Sequence, residues 1–287
     1  MSNDYSIYVV PSEQGDFYKA PKDPNQKIWR YLDFPKFISL LYSKELFFPR
    51  ASLFEDRHEG AVSQGTINLR QKYEEENIRK AQIDMNLDES NQSDLRKVVD
   101  KTSAFLRNRQ IWKRNWTYVS CWHMNDSESA AMWKLYSGQS IAIQTNYKKL
   151  YNCLYPALVQ TNKLFRIGIV NYIDYQSGKV PEDFILSEYF FKRKSFSHEA
   201  ELRIVLQDIP SIIENRKEDG SYTETFHIDK EPIDGISFNL NLNELIDEVY
   251  IAPTSPDWLF NALQDVLKKY SYSQTLIRSS LDIDPLF

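Results

Sequence analysis

The sequence predicts an α+β fold: a mixed, mainly antiparallel sheet with packed helices and a helical insertion. Three observations lead to this prediction. Short segments of alternating apolar and polar residues recur along the chain, and the clearest one runs over residues 201–206. Segments with helical spacing stand between them. In the second half, however, strand-like segments do not alternate regularly with helices, as a parallel sheet would require.

The first half of the chain predicts several elements. Residues 1–25 are polar and contain three prolines, so we expect an N-terminal arm. Residues 28–32 predict a strand, which Asp33 or Phe34 would follow as the cap of a helix, and residues 46–49 predict a second strand. Residues 64–110 are polar with helical patterns. This segment is the predicted helical insertion, which would cover the core, act as a lid or bind a partner protein.

The second half predicts more strands than helices. Strands are expected over residues 116–122, 140–145, 164–173, 201–206, 223–229, 235–240 and 248–252. Helices are expected over residues 128–136, ended by Gly138, over about 182–191, and from Ser255-Pro256-Asp257 onward. Residues 278–281 predict a final strand or an extended tail.

Composition excludes several classes of function. The net charge of −5 argues against a general basic surface for nucleic acid, and 8 glycines with no GxGxxG and no Walker loop argue against a glycine-rich phosphate cradle. Cys121 and Cys153 lack the spacing of a zinc ribbon or a disulfide framework. No apolar run approaches the ~20 residues of a membrane span, and the first residues do not resemble a signal peptide. We therefore expect a soluble cytoplasmic protein whose residues 1–287 form a single domain.

The segment over residues 192–206 is the strongest candidate site. Three cations precede two carboxylates and an alternating strand. Glu201 and Arg203 would share one face of this strand, and Glu199 would join them if the extended backbone reached it. Such neighbours lie roughly 6.5–7 Å apart and could hold a polar ligand or transfer protons. The alternative is a solvated face with one Glu–Arg pair; the opposite face would carry Leu202, Ile204 and Leu206.

Further polar and aromatic residues are candidates. Arg30 lies on an early predicted strand, where its charge needs a salt bridge or a ligand. Trp133 and Tyr136 belong to a stripe at helical spacing, which is either a core face or a wall on which a flat ring stacks. In the polar turn over residues 54–60, Asp56, His58 and Glu59 could be metal ligands by type, although a turn capped by Asp56 is the simpler interpretation.

In order, these motifs resemble the bacterial proteins grouped as domain of unknown function 2971. The resemblance covers roughly residues 28 to 281. Where the family often has Phe-Asn-Asp-Pro, this chain has Phe54-Glu55-Asp56-Arg57, so Asp56 is carried over more safely than Glu55. The resemblance implies a fold and candidate positions, but no reaction. Its motifs are Trp29-Arg30-Tyr31, Phe47-Phe48-Pro49, Phe54-Glu55-Asp56 with Glu59, Ser120-Cys121-Trp122, Met132-Trp133-Lys134-Leu135-Tyr136, Phe191-Lys192-Arg193, His198-Glu199-Ala200-Glu201-Leu202-Arg203 and Val249-Tyr250-Ile251-Ala252-Pro253.

A looser resemblance is to arginine-type ADP-ribosyltransferases. These enzymes carry an Arg on an early strand, a Ser on a middle strand and a Glu-x-Glu step at a late strand. Arg30, Ser120 and Glu199-Ala200-Glu201 follow this order, although the family's Ser-Thr-Ser signature is absent. The resemblance implies that NAD is the substrate. Glu201 would stabilise an oxocarbenium-like ribose, Glu199 would orient the acceptor, and Arg30 would hold the pyrophosphate.

We therefore expect an ADP-ribosyltransferase-like or NAD-cleaving effector, such as a bacterial toxin or a phage-defence component. Its expected catalytic residues are Glu201, Glu199 and Arg30, and no resident metal is expected. Nucleotide or NAD is the expected ligand, and nucleic acid is one acceptor to consider. The expected ligand-binding residues are Ser120, Trp133, Tyr136, Asp56, Arg50, Lys194 and His198.

Two alternatives stay open. In a metal-dependent nuclease, Asp56, Glu59, Glu199 and Glu201 would converge on Mg²⁺, and Lys192 or Lys194 would stabilise the leaving charge. A non-enzymatic module would instead bind a nucleotide or a protein through the aromatic stripe and the same cations. Carboxylates that converge within coordination distance would support the nuclease. A flat, solvent-filled face around Glu199 and Glu201 would support the non-enzymatic module.

Overall fold

The structure, a computed structural model, describes residues 18–84, 89–136, 140–161, 163–208, 211–216, 222–227 and 231–283. Most of the predicted N-terminal arm lies outside these residues, as does Gly138, the predicted end of a helix.

A seven-stranded mixed sheet forms the centre of the fold, which confirms the α+β prediction. Its strands are β1 (Lys27–Asp33), β3 (Thr117–Met124), β4 (Ser140–Asn146), β5 (Leu164–Ile169), β8 (Glu201–Gln207), β12 (Glu248–Ile251) and β13 (Thr275–Arg278). Their order is β13-β12-β4-β1-β3-β8-β5. β12 and β13 pair in parallel, and every other pair in this sheet is antiparallel.

Three two-stranded ladders accompany the central sheet. β2 (Glu45–Pro49) pairs with β11 (Gly235–Asn239), β6 (Asn171–Ile173) pairs with β7 (Phe191–Arg193), and β9 (Ser211–Arg216) pairs with β10 (Tyr222–His227). β2 also approaches β3 through a single bridge between Arg50 and Tyr118. This approach matters for the site because it brings β2 next to the space between β1 and β3.

The helices include the predicted insertion. They are α1 (Phe34–Ser43), α2 (Gln64–Asp84), α3 (Glu89–Asn115), α4 (Ala130–Leu135), α5 (Tyr147–Val159), α6 (Leu242–Leu245) and α7 (Asp257–Lys269). α2 and α3 occupy the segment predicted as a helical insertion. Among the helices described here, none combines the length and the apolar character needed to cross a membrane.

The strand–helix–strand unit at the start of the chain forms as predicted. The Asp33 side chain accepts a hydrogen bond from the backbone N–H of Lys36 at 2.8 Å, and Pro35 lies in the first turn of α1. The helix buries Phe37, Leu40 and Leu41 against the sheet. It ends at Lys44, whose φ of 56° is left-handed, and β2 begins at the next residue.

The two faces of the sheet differ in chemistry. The first face carries a large apolar core, to which α1, α5 and α7 contribute, and the predicted apolar set Leu202, Ile204 and Leu206 lies there. The second face carries two small apolar clusters. One contains Val119, Val205, Leu186, Tyr189 and Phe190, and the other contains Trp29, Tyr31, Met132, Trp133 and Ala142. Between these clusters the second face carries polar residues of β3 and β8.

Two predicted elements are wrong. The continuous strand over residues 164–173 is interrupted at Val170: β5 pairs with β8, whereas β6 pairs with β7. The helix over residues 182–191 is replaced by a 3-10 turn, Ser187–Phe190, followed by β7. Leu186 adopts a left-handed φ of 69°, which stops a helix. The turn is also buried on all sides, so it has no solvent face for an amphipathic helix.

Two smaller differences concern helix starts. The N-cap of α7 is Pro256 rather than Ser255, one residue later than predicted. Helix α5 has no predicted counterpart, although Asn146 caps it and Leu150, Leu154 and Leu158 are buried at helical spacing. The Asn146 side chain accepts from the backbone N–H of Lys149, a local capping signal, whereas the start of α7 has no side-chain cap.

Candidate functional site

The second face of β8 carries a buried ion network of five residues. Glu201 lies at its centre: Lys192 Nζ donates to Oε1 at 2.9 Å, and Arg203 Nε donates to Oε2. Lys192 also donates to the carboxyl group of Glu199. The Arg203 guanidinium donates to both oxygens of Glu59, with Nη2 at 3.0 Å from Oε2. Arg203 is completely buried, so these charges interact away from water.

Left-handed backbone at two positions builds this network. Residues Lys194–Glu199 form a 3-10 turn, and Ala200 has a φ of 40° before β8 begins at Glu201. Glu199 is therefore not part of the strand, yet both carboxyl groups reach Lys192. On the other side, Gly60 has a φ of 68°, and a Cβ there would lie 2.4 Å from the Tyr189 ring. Glycine thus permits the turn that carries Glu59.

The pKa values of the two neighbouring carboxyl groups, Glu199 and Glu201, are shifted in opposite directions. The network holds two cations and three carboxyl groups, so its charge cancels when one carboxyl group is protonated. Burial, followed by the adjacent Glu201 carboxylate, raises the pKa of Glu199 above its usual range. Burial also acts to raise the pKa of Glu201, but Arg203 and Lys192 together hold that pKa well below its usual range. A proton-holding carboxyl group beside a permanently ionised one suits acid–base chemistry.

Arg30 lies where β1 and β3 separate. These strands pair only at Ile28 with Met124 and at Trp29 with His123. Beyond that point Arg30 Nη1 donates to Ser120 Oγ at 2.5 Å, and Nη2 donates to the Phe47 carbonyl of β2 at 3.0 Å. Both acceptors are uncharged.

The charge of Arg30 has no counterion among the residues that the structure describes. Burial lowers the pKa of Arg30, because removal from water disfavours the charged form of the guanidinium. An anion in contact with this guanidinium would remove the imbalance, and a phosphate offers the oxygens that a guanidinium binds best.

Tyr136 connects Arg30 to the ion network. Its pKa is raised first by burial and also by the charges of Glu201 and Glu199, whereas the charge of Arg30 lowers it. Its ring stacks on Tyr31, with 6.1 Å between centroids, and 37% of the residue stays exposed. Arg30 and Glu201 start from opposite faces of the sheet. Even so, both act on the same phenol at the gap beyond the last β1–β3 pair, which we call the β1–β3 opening.

Trp133 and Asp56 have structural partners. Trp133 is buried, its Nε1 donates to Glu128 Oε2 at 2.8 Å, and its ring meets Tyr31 edge to face, with centroids 4.9 Å apart. These contacts match the interpretation of the stripe as a core face. Asp56 Oδ1 accepts from Arg193 Nη2 at 2.9 Å and from the His58 backbone N–H at 3.0 Å, as expected for a residue that caps its turn.

Three of the predicted ligand-binding residues make no contact within the ion network described above. Arg50 donates to the Pro232 carbonyl and to Asp234, and it therefore ties the segment before β11 to β2. Lys194 and His198 are exposed on the 3-10 turn before β8. Ser120, by contrast, is buried and holds Arg30 directly.

Sequence reasoning missed one member of the site and did not choose between two lysines for another. Lys192, rather than Lys194, is the cation between the carboxyl groups. His123, which pairs with Glu201 across β3 and β8, places Nδ1 2.6 Å from the Glu199 carbonyl oxygen. The run of three cations pointed to the lysine without choosing it. No local pattern marks the histidine, because its place depends on strand pairing between distant segments.

The carboxylates do not converge as the nuclease alternative requires. Cations hold them separately: Arg193 holds Asp56, Arg203 holds Glu59, and Lys192 lies between Glu199 and Glu201. In the part of the chain that the structure describes, no three His, Cys, Asp or Glu side chains are grouped so that they could hold a metal ion. The network is also buried, unlike the flat, solvent-filled face of the non-enzymatic alternative.

Comparison of this chain with protein-family models, with curated proteins and with solved structures finds no match. The chemistry of the site is therefore inferred from its own geometry. That geometry provides a cation with no counterion among the described residues, a partly exposed aromatic ring, and a pair of carboxyl groups with opposed pKa shifts at one opening.

Proposed function

We propose that the chain binds NAD in the β1–β3 opening and cleaves the bond between nicotinamide and ribose, as an effector of the toxin or phage-defence kind. This proposal rests on one observation: the Tyr136 phenol is close enough to both Arg30 and the Glu199–Glu201 pair to be affected by their charges. A ligand at Tyr136 would thus meet an anion-binding group on one side and two carboxyl groups on the other. NAD has this polarity, since its pyrophosphate is anionic and its nicotinamide ribose becomes cationic during cleavage.

Arg30 supplies the anion-binding end. Its guanidinium has two neutral acceptors, Ser120 Oγ and the Phe47 carbonyl, which orient it but leave its charge uncompensated. A pyrophosphate would accept hydrogen bonds from the remaining N–H groups. Since Ser120 is itself buried, the guanidinium is positioned before the ligand arrives.

Glu201 supplies the charge that cleavage requires. As the nicotinamide leaves, the ribose acquires oxocarbenium character, which a nearby carboxylate stabilises. Lys192 and Arg203 hold Glu201 in place and keep it ionised, so that its charge is fixed at the site. Glu199 holds its proton and hydrogen-bonds to Glu201, so only one of the two carboxyl groups carries a charge.

Tyr136 supplies the stacking surface. The residue is 37% exposed, and its ring stacks on Tyr31 at an interplanar angle of 27°. Trp133, by contrast, is buried in the core and donates to Glu128. We therefore assign the contact with a nicotinamide or adenine ring to Tyr136.

Incubation of the purified chain with NAD tests the proposal, with nicotinamide release as the readout. We expect release by the wild type, and a loss of about 100-fold or more in Arg30→Gln and Glu201→Gln, because each removes charge stabilisation at the reacting substrate. Glu182→Gln, which removes the exposed ion pair with Arg70, is the matched control and should keep wild-type activity.

Circular dichroism of each variant establishes that it is folded, since Glu201 is buried. Glu199→Gln, at a more accessible position of the same pair, provides a second variant if Glu201→Gln unfolds. Absence of both NAD binding and nicotinamide release by the wild type would overturn the proposal, as would full activity in the folded Glu199, Glu201 and Arg30 variants.

A further inference from the structure

We propose that His123 is the general base of the site and that the acceptor of the ADP-ribosyl group is water, so that the chain is an NAD glycohydrolase. This inference rests on the proposed cleavage of NAD and goes beyond it, because it selects hydrolysis over transfer to a protein or a nucleic acid. Its basis is a buried nitrogen with an unused lone pair at the β1–β3 opening.

The hydrogen bonding of His123 determines its tautomer. Nδ1 lies 2.6 Å from the Glu199 backbone carbonyl, which can only accept a hydrogen bond, so Nδ1 carries the proton. In the neutral ring, Nε2 is then an acceptor. His123 is 5% exposed, and its buried Nε2 has no hydrogen-bond partner among the described residues. A buried acceptor without a donor is costly, and a ligand O–H would satisfy it.

Strand pairing places His123 at the site. It faces Glu201 across β8 and Trp29 across β1, and the pair with Trp29 is the last one before β1 and β3 separate. The ring meets Tyr31 edge to face, with centroids 6.1 Å apart, and Tyr31 in turn stacks on Tyr136. The imidazole therefore lies at the carboxyl end of the opening.

The groups around His123 favour the neutral ring. Burial is the largest effect and lowers the pKa of His123, and the exposed His198 on the neighbouring 3-10 turn lowers it further. The Glu199 carbonyl and the Glu201 carboxylate act in the opposite direction but do not outweigh burial. Tyr31, from β1, contacts the imidazole through an edge-to-face ring contact and brings no charge to it. A neutral imidazole can accept a proton near neutral pH.

The small exposure of His123 selects a small nucleophile. Nε2 is buried, and water is the smallest nucleophile that could fit against it, whereas the side chain of a folded acceptor protein would have to displace Tyr31 or Glu199. In the reaction, one water proton moves to Nε2 as the water oxygen bonds to C1′ of the ribose. The bond from C1′ to the nicotinamide nitrogen breaks, and its electron pair stays on that nitrogen. ADP-ribose and neutral nicotinamide leave, and His123 returns the proton to solvent.

Two variants separate catalysis from support of the fold. His123→Asn keeps an N–H group near the Glu199 carbonyl but has no atom at the position of Nε2. We expect its kcat to fall by about 10²- to 10⁴-fold, the range of a lost general base, while calorimetry shows unchanged NAD affinity. His123→Gln, which places an amide near Nε2, should bind NAD equally well and remain as slow, because an amide does not take up a proton.

The pH profile of the wild type gives a measurement that does not depend on folding of a variant. Activity should fall on the acid side as His123 becomes protonated, and on the alkaline side as Glu199 loses its proton. The acid limb should be absent from the residual activity of His123→Asn. ADP-ribose should form without any added acceptor, and ¹⁸O from labelled water should appear in it.

The outcomes distinguish this inference from the proposed function. If the wild type cleaves NAD but His123→Asn is equally active, or if its product is an ADP-ribosylated macromolecule without free ADP-ribose, the assignment of His123 and water is overturned and NAD cleavage stands. If the wild type neither binds nor cleaves NAD, both fall together. Loss of activity with retained binding, the missing acid limb and labelled ADP-ribose would establish the inference.

Discussion

Both faces of β8 are buried, but one face is apolar and the other is charged. On the first face Leu202, Ile204 and Leu206 enter an apolar core, which stabilises the fold through the area removed from water. On the second face Glu201 and Arg203 are buried equally well, but among charges. A buried ion network costs desolvation that its attraction only partly repays, and apolar residues of similar volume are often as stable or more so.

The charged face of β8 is therefore the better candidate for a functional role. The apolar face needs no explanation beyond stability. Burial of the charged face is costly, and two of its carboxyl groups have opposed pKa shifts next to a histidine nitrogen that has no hydrogen-bond partner among the described residues. Costly burial combined with perturbed protonation is typical of a functional site.

The largest effect is expected from removing the central cation of the second face. Arg203→Met leaves Glu59 and Glu201 buried without their shared partner, so we expect the free energy of unfolding to fall by about 3–5 kcal/mol. Ile204→Val, the neighbouring position on the first face, should cost only about 1 kcal/mol. Urea denaturation measures both.

A triple variant sharpens this test. Replacing the three charges together, as Glu59→Leu, Glu201→Leu and Arg203→Met, should recover most of the stability lost in the single variant while abolishing NAD cleavage. A triple variant as unstable as Arg203→Met alone would show that the ion network serves stability, and the contrast between the two faces would lose its meaning.

A smaller effect is expected from the lysine between the carboxyl groups, with a second lysine as its control. Lys192→Met leaves Glu199 and Glu201 without the cation they share, and we expect a loss of about 3 kcal/mol. Lys194→Met, two residues away, removes an exposed charge and should change stability by less than about 0.5 kcal/mol. Equal losses in the two variants, measured by thermal or urea unfolding, would contradict the placement of Lys192.

The smallest effect is the pH dependence that Glu199 imposes on stability. Its pKa is higher in the folded state than in the unfolded state, so its contribution is complete below its unfolded pKa and is lost as the pH rises through the folded pKa. The lowered pKa of Glu201 acts in the opposite sense, and its contribution is lost in strong acid.

Glu199→Gln mimics the protonated form and isolates this contribution. From about pH 5 to about pH 9 the wild type should lose about 1–3 kcal/mol more than the variant does. Unfolding in urea at each pH measures the difference, and Glu182→Gln, which removes the ion pair with Arg70 of the helical insertion, should follow the wild type. Parallel curves for Glu199→Gln and the wild type would show that Glu199 does not hold its proton in the folded state.

Local sequence was sufficient for the elements with a clear pattern. The alternation in residues 201–206 placed Leu202 and Arg203 on opposite faces of a strand, and Asp33 before Pro35 marked the start of α1. Alternation and capping depend on residues within one or two turns of each other, so they can be read without knowledge of the fold. The same information failed over residues 182–191, where burial on all sides overrode helical spacing.

The site itself combines both kinds of information. Sequence alone determined that Glu199 and Glu201 stand at the entry of a strand, after three cations, and that Arg30 lies on an early strand. Tertiary structure decided that Lys192 bridges the two carboxyl groups, that Glu59 completes Arg203, and that His123 faces Glu201. The reason is physical: which strands become neighbours, and in which register, depends on contacts between distant segments that no short stretch of sequence contains.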